Sequence, residues 1–258
     1  MRAAALTSLA LMLAPLQALA STCFAFVEGV PGLRYATLGP VAATALEVAI
    51  RYVAHSTYRI DTPAGISINT DYFGLDGPGG VPDVVTMNRA HETHYTDFPN
   101  PEIDHVLRGW DPDGDGPAEH RLEVEDVLIR NVTTDIRSWG ETGRHGNSIF
   151  VFEVADLCIG HLGHLHHVPT EEQYAALGHM DVLMVPVDGT YTMNVGKMIE
   201  VAKRLRSSVV LPMHYFGPRR LQRFLDGMAD AFAIDIREDP LLAVSADTMP
   251  TRPTVAVV

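Results

Sequence analysis

The sequence predicts an α/β fold, and three features carry that prediction. Helix and strand patterns alternate regularly beyond residue 170, short alternating runs before residue 90 are joined by turns, and histidines cluster directly after strand-like runs. The ends of strands are where α/β folds place their chemistry. With 258 residues, 47% of them hydrophobic and 20% charged, the chain can bury a full core. No repeat, linker or domain boundary interrupts it, so residues 46–258 read as a single domain.

The first 20 residues have a different character. Met1-Arg2 precedes an apolar run from Ala3 to Leu19 that ends at Ala18-Leu19-Ala20 and Ser21-Thr22, the layout of a signal peptide cleaved near Ala20. Thr7, Ser8, Pro15 and Gln17 interrupt the run, which falls short of the roughly 20 apolar residues that a bilayer span requires. The expected location is therefore periplasmic or secreted, with no stable membrane span after cleavage. Residues 21–45, punctuated by Gly29, Pro31, Gly32, Gly39 and Pro40, read as an irregular lead-in. Of the two cysteines, Cys23 falls in this lead-in and Cys158 in an apolar strand, as core or as a metal ligand, so no structural disulfide is expected.

Order begins with Leu46–Asp61, which alternates apolar and polar residues, turns at Thr62-Pro-Ala-Gly65 and alternates again through Ile66–Tyr72 as an antiparallel hairpin. Asp83–Met87 is a short strand leading into His91 and His94, spaced so that one helical turn would place both imidazoles on one side. Asp111, Asp113 and Asp115 resemble the opening of a calcium loop, but Leu122 stands where its closing acid belongs. Glu123–Val132 supplies another strand, Thr133–Asn147 a long polar loop, and Ser148–Val154 a buried strand. A glycine-flanked loop then carries His161, His164, His166 and His167. Beyond it come a helix opened by the capping box Thr170–Gln173 and ended at Gly178, a strand at 181–187, a helix at 194–206, a strand at 208–213 and a helix at 218–232 with proline at its start. His214 follows the last strand directly.

Three histidine groups at three strand ends are the pattern of a metal site assembled from distant loops, because neutral imidazoles must converge from several directions on one ion. The surplus of 32 acidic over 19 basic residues, a formal charge of −13, argues against a nucleic-acid partner and leaves a small-molecule substrate.

In order along the chain, the His55-Ser-Thr turn, Thr70-Asp71, Asp83-Val-Val with His91 and His94, Gly146-Asn-Ser148, His161-Leu-Gly-His164, Asp181-Val-Leu-Met-Val-Pro186 and Leu211-Pro-Met-His-Tyr215 resemble the metallo-β-lactamase superfamily in its lactonase-like branch of metal-dependent hydrolases. The resemblance implies an αββα four-layer sandwich with a metal site at one edge of its sheets. It also shows departures. The family's His-x-His-x-Asp-His reads Arg89-Ala-His91-Glu-Thr93-His94, the family's next histidine falls near Thr134, and His164 replaces the metal-bridging aspartate.

His91, His94, His164 and His214 are accordingly the expected metal ligands, with His166 in reserve. Asp135 or Glu92 is the expected catalytic base or ligand orienter. A site rich in nitrogen and lacking the bridging aspartate favours zinc, nickel or copper, with zinc the expected ion, and one ion over two. Two functions compete: an exported metal-dependent hydrolase acting through activated water on an ester, lactone, amide or phosphodiester, and a non-catalytic, histidine-rich metal-binding protein on a hydrolase scaffold.

Overall fold

In the computed structural model, residues 23–24, 46–114, 116–137 and 142–258 are described. The expected signal segment and most of the lead-in lie outside them. No helix among the described residues is long and apolar enough to cross a membrane.

Two sheets face one another. The first is built from β1 (Val48–Ala54), β2 (Thr57–Asp61), β3 (Ser67–Asn69), β4 (Val84–Met87), β5 (His105–Arg108) and, from late in the chain, β13 (Leu241–Val244), in the order β13-β1-β2-β3-β4-β5. The second contains β6 (Arg121–Val124), β7 (Val127–Arg137), β8 (Thr142–Val154), β9 (Leu157–His161), β10 (Val182–Pro186), β11 (Val209–Met213), β12 (Ala233–Ile236) and β14 (Thr254–Val257), in the order β12-β14-β11-β10-β9-β8-β7-β6. Helices α1 (Glu171–Leu177), α2 (Val195–Leu205) and α3 (Pro218–Met228) connect strands of the second sheet.

Side chains that alternate along the strands divide into separate cores. Val48, Ile50, Ile60 and Val84 from one sheet meet Ile129, Phe150, Phe152, Ile159, Met184 and Leu211 from the other. On the far face of the second sheet, Ile149, Val151, Leu183, Val185 and Val210 receive Leu177 of α1, Met198 and Val201 of α2 and Phe224 and Met228 of α3. The outer face of the first sheet, through Val85 and Met87, is covered by Tyr72, Ile103, Tyr95 and Trp110 from loops. Both central β layers are present as the resemblance implies, and among the described residues all three helices lie against the second sheet.

Local chemistry explains the elements. Thr170 and Gln173 close a reciprocal capping box on α1, the Asn194 side chain caps α2 at Gly196 N–H, and Pro218 opens α3. The sequence reading differs from the structure in several strand boundaries: the run 123–132, read as one strand, joins the end of β6 to β7 through a reversal at Glu125-Asp126. The run 46–61 is two strands reversing at His55-Ser56, with His55 at φ 51°. The polar stretch 133–147 is largely strand, because β7 and β8 continue as a ladder out to Arg137 and Thr142. The histidine loop leaves β9 instead of the strand at 148–154, after a reversal at Ala155-Asp156 where both residues hold positive φ.

A disulfide joins Cys23 to Cys158 across 135 residues, with Cα atoms 5.7 Å apart, which overturns the expectation of unpaired cysteines. Cys23 and Phe24 are docked at this point: the Cys23 carbonyl accepts the His179 N–H at 2.7 Å, and the Arg130 guanidinium lies 4.6 Å from the centre of the Phe24 ring. Gly178 permits this approach, since a Cβ there would lie 2.2 Å from the Cys23 carbonyl oxygen. Replacing Cys23 with serine is expected to lower stability by about 2–5 kcal/mol, as for a cross-link closing a long loop. Thermal unfolding checks this: the variant should melt lower than the oxidised parent, and adding reductant should shift the parent alone.

Candidate metal centre

The histidines gather at one edge of the sandwich because the parallel strands of both sheets present their carboxyl ends there. His55 turns from β1 into β2, Asp71 follows β3, His91 and His94 follow β4, His164 follows β9, Asp188 follows β10 and His214 follows β11. Backbone bonds stitch these loops together: His214 N–H donates to His55 C=O at 2.9 Å, His94 N–H to His91 C=O at 2.9 Å and Asn88 N–H to His94 C=O at 3.1 Å. His55, Asp71 and His214 have φ of 51°, 42° and 54°, a left-handed backbone that costs energy outside glycine and concentrates at functional sites.

Buried amides hold the frame. Asn88 donates to Asp71 Oδ1 at 2.8 Å and accepts the Ser148 N–H at 2.7 Å, while Asn147 accepts the His164 N–H at 2.7 Å. Gly163, at φ 59°, passes between them, and a Cβ there would sit 2.4 Å from both Asn147 Oδ1 and Asn88 Nδ2.

His55, His91, His94 and His214 each offer a nitrogen within 4.8 Å of the others. The His164 ring joins them, its centre 5.0 Å from that of His91, 4.7 Å from His94 and 5.0 Å from His214. Outer partners hold several rings by their Nδ1 atoms. His94 Nδ1 lies 2.6 Å from Asp71 Oδ2, His91 Nδ1 2.8 Å from Thr93 Oγ1, and His214 Nδ1 3.2 Å from Asp188 Oδ1, the last close but poorly aligned for a hydrogen bond. The Nε2 atoms of His55, His94, His164 and His214 are buried with no protein partner. Buried polar atoms are rarely left unpaired, and imidazoles backed by carboxylates with Nε2 aimed inward are the donor set of a divalent cation. The residues present therefore fit a metal.

Residues 49–214 match the family model described as the beta-lactamase superfamily domain. The chain belongs to this superfamily. A UPF0173 metal-dependent hydrolase of Salinibacter ruber is 23% identical over 212 residues, covering 71% of this chain and 91% of that protein. Among solved structures, a putative zinc-dependent hydrolase of the metallo-β-lactamase superfamily from Thermotoga maritima is 27% identical, with a TM-score of 0.58 over 81% of this chain and 98% of that one. The metallo hydrolase Igni18 of Ignicoccus hospitalis shares the fold at 16% identity, with a TM-score of 0.53 over 72% of this chain and 91% of its own.

Against this superfamily background, the structure sorts the residues expected from sequence. It brings together His91, His94, His164 and His214. It does not bring His166 to the cluster with a free nitrogen, because its Nε2 lies 2.6 Å from His164 Nδ1 and its Nδ1 accepts the Arg137 N–H at 2.5 Å. Asp135, expected as the catalytic carboxylate, lies where the β7–β8 register breaks, facing the bulged residues 144–146 of β8. Its side chain accepts the His145 N–H at 3.0 Å and lines a recess with His167 and Gln173, whereas the next residue, Ile136, lines the cleft over the histidines. Glu92 is exposed. The carboxylates beside the rings are Asp71 and Asp188, both fully buried. His161, in the middle of the resemblance motif, is structural: its Nε2 pairs with the Ser56 carbonyl at 2.8 Å. Sequence reading left His55 out of the ligand set, although the His55-Ser-Thr motif marked its position.

Burial, followed by the charges of neighbouring His214 and His91, pushes His55 down to about 4. Burial likewise holds His94 and His164 well below the usual imidazole value, with neighbouring histidines adding to the effect. Burial acts to raise Asp188, but the close approach of His214 and hydrogen bonds from Thr192 and Thr190 outweigh it and hold the carboxyl far below its usual range. The histidine shifts fix the sign of an acid effect. Each such group takes up protons more readily unfolded than folded, so stability is fully present above about 6.5, the unfolded value, and is lost as pH falls toward about 4. The metal-free protein should show its midpoint in urea decline across that window. A flat profile there would contradict neutral burial of the cluster.

Proposed function

We propose that this protein is an exported hydrolase that uses a single divalent cation, zinc, to cleave a small-molecule ester, lactone, amide or phosphodiester. One observation supports the reading: the cluster opens, through His91, onto a cleft of about 590 Å³ whose lining also includes His164 and His166 together with Ile136, Arg137, Tyr191 and Phe216. His55, His91, His94 and His214 would hold the ion. A divalent cation in such a site polarises a substrate oxygen and acidifies water. The chain's own groups do the rest. Asp71 and Asp188 orient His94 and His214, the exposed rings of Tyr191 and Phe216 offer an apolar wall, and Arg137, donating to the Thr192 carbonyl at 2.7 Å, places one cation at the mouth.

Zinc over a harder ion rests on the all-imidazole donor set, and one ion on there being, among the described residues, a single group of converging nitrogens that contains no carboxylate. Export is supported by the basic, apolar and small-residue layout of residues 1–20 and by the Cys23–Cys158 disulfide, a feature of oxidising compartments. Four imidazoles also make up a closed structural set, which favours a metal-binding protein without catalysis. The cleft reaching His91 and His164 favours the enzyme.

Zinc-loaded protein tested on a lactone, a carboxylate ester and a phosphodiester should hydrolyse at least one of them. A chelator should abolish the activity and added zinc should restore it. Zinc binding without hydrolysis of any of the three would favour the metal-binding reading, and absence of divalent-metal binding would overturn both.

A further inference from the structure

Hydrogen bonding fixes the protons of these rings, and it fixes them differently in different parts of the cluster. A backbone N–H can only donate, so His166 Nδ1, which receives the Arg137 N–H at 2.5 Å, must carry a lone pair. A neutral His166 then has its proton on Nε2, the atom 2.6 Å from His164 Nδ1. His164 Nδ1 is thereby the acceptor, and the single proton of a neutral His164 falls on its Nε2. Turning the His166 ring over would set carbon atoms against both neighbours, and the two short contacts exclude it. His94 has the opposite arrangement, since its Nδ1 lies 2.6 Å from Asp71 Oδ2 and donates its N–H to that carboxylate, leaving the lone pair on Nε2.

We propose that His164 is not a metal ligand but a catalytic hydrogen-bond donor, presenting a neutral Nε2–H to the substrate oxygen that gains charge during hydrolysis. This rests on the hydrolase reading above. Three observations meet at the atom. His164 Nε2 is buried without a protein partner, the residue lines the cleft, and, although its ring packs against the cluster, it is not one of the four histidines whose ligating nitrogens all lie within 4.8 Å of one another. An N–H donor fixed in a water-poor site, aimed where charge develops, stabilises a transition state without reorganising. His166 is the positioning residue: the Arg137 backbone orients it, and it holds the proton of His164 on the inward nitrogen. The loop sequence His164-Leu-His166 can supply this pair because alternate residues of an extended loop lie on the same side.

Three measurements test the proposal. Nitrogen-15 spectra of histidine-labelled protein, with and without zinc, should show His164 protonated on Nε2 and bare on Nδ1, and the reverse assignment would overturn it. Zinc affinity of His164→Ala should stay within a few-fold of the parent, while hydrolysis of the responsive probe should fall by roughly 10²–10³-fold in kcat with little change in KM. A loss of zinc comparable to that of His94→Ala would instead make His164 a ligand, overturning this proposal and leaving the hydrolase reading intact. His166→Gln retains a donor toward His164 and should preserve the His164 tautomer and most of kcat. His166→Glu offers only an acceptor and should move the His164 proton to Nδ1. If the glutamate variant keeps both the parental tautomer and the parental rate, His166 does not set the proton and the proposal fails.

Discussion

Replacing His94 with alanine is expected to remove most of the protein's affinity for zinc and all of its zinc-dependent hydrolysis. His94 is fully buried, its Nε2 has no protein partner, and its Nδ1 is held by Asp71 at 2.6 Å, so its lone pair is fixed on the ion's position before any ion arrives. The loss should exceed the roughly 10–100-fold that follows removal of an outer-shell partner, because here the ligand itself is deleted. His214→Ala should behave alike, since its ring stacks on that of His94 with centres 5.0 Å apart. His120 pairs its Nε2 with the Arg108 carbonyl at 2.7 Å and His179 pairs its own with Asp181 at 2.8 Å, so alanine at either should leave zinc binding unchanged. Equilibrium dialysis against zinc compares the four variants directly.

Asp71→Asn is expected to lower zinc affinity by about 100-fold, near the upper end for an outer-shell change. The direction follows from hydrogen-bond polarity. Asn88 Nδ2 donates to one Asp71 oxygen at 2.8 Å, so an asparagine at 71 keeps its carbonyl there and turns its NH2 toward His94 Nδ1. That donor converts His94 Nδ1 into an acceptor and moves the ring proton to Nε2, the atom required for the ion. A steric account of position 71 predicts no effect, because the two side chains have nearly the same shape. Folding should change much less than affinity, and near-ultraviolet circular dichroism of the metal-free variant checks that separation.

Much of the fold was legible in the sequence because its signals are local. Strands β4, β10 and β11 are short apolar runs, α1 carries its capping box, and α2 and α3 open at Asn194 and Pro218. His91, His94 and His214 were legible for the same reason, since each follows such a strand. What escaped depends on distant partners or unusual backbone. His55 occupies a two-residue reversal without the usual glycine or asparagine, in a left-handed conformation that neighbouring loops impose, so the alternating run hid the turn. Asp71 becomes an outer-shell residue only because β3 and β4 lie side by side in parallel, bringing it to a histidine 23 positions away. Asp135 has the right residue type in the right region, but it faces the bulge in β8 and lines another recess. The Cys23–Cys158 pair spans 135 residues, and no local pattern around Cys23 points to its distant partner.

The four-histidine centre is tested most directly by diffraction from crystals of the zinc-loaded protein, with data collected on both sides of the zinc absorption edge. The expected result is one anomalous peak, with nitrogens of His55, His91, His94 and His214 at about 2.0–2.1 Å and His164 Nε2 outside bonding range. A peak bonded to His164 and His166, two peaks within the cluster, or none would contradict it.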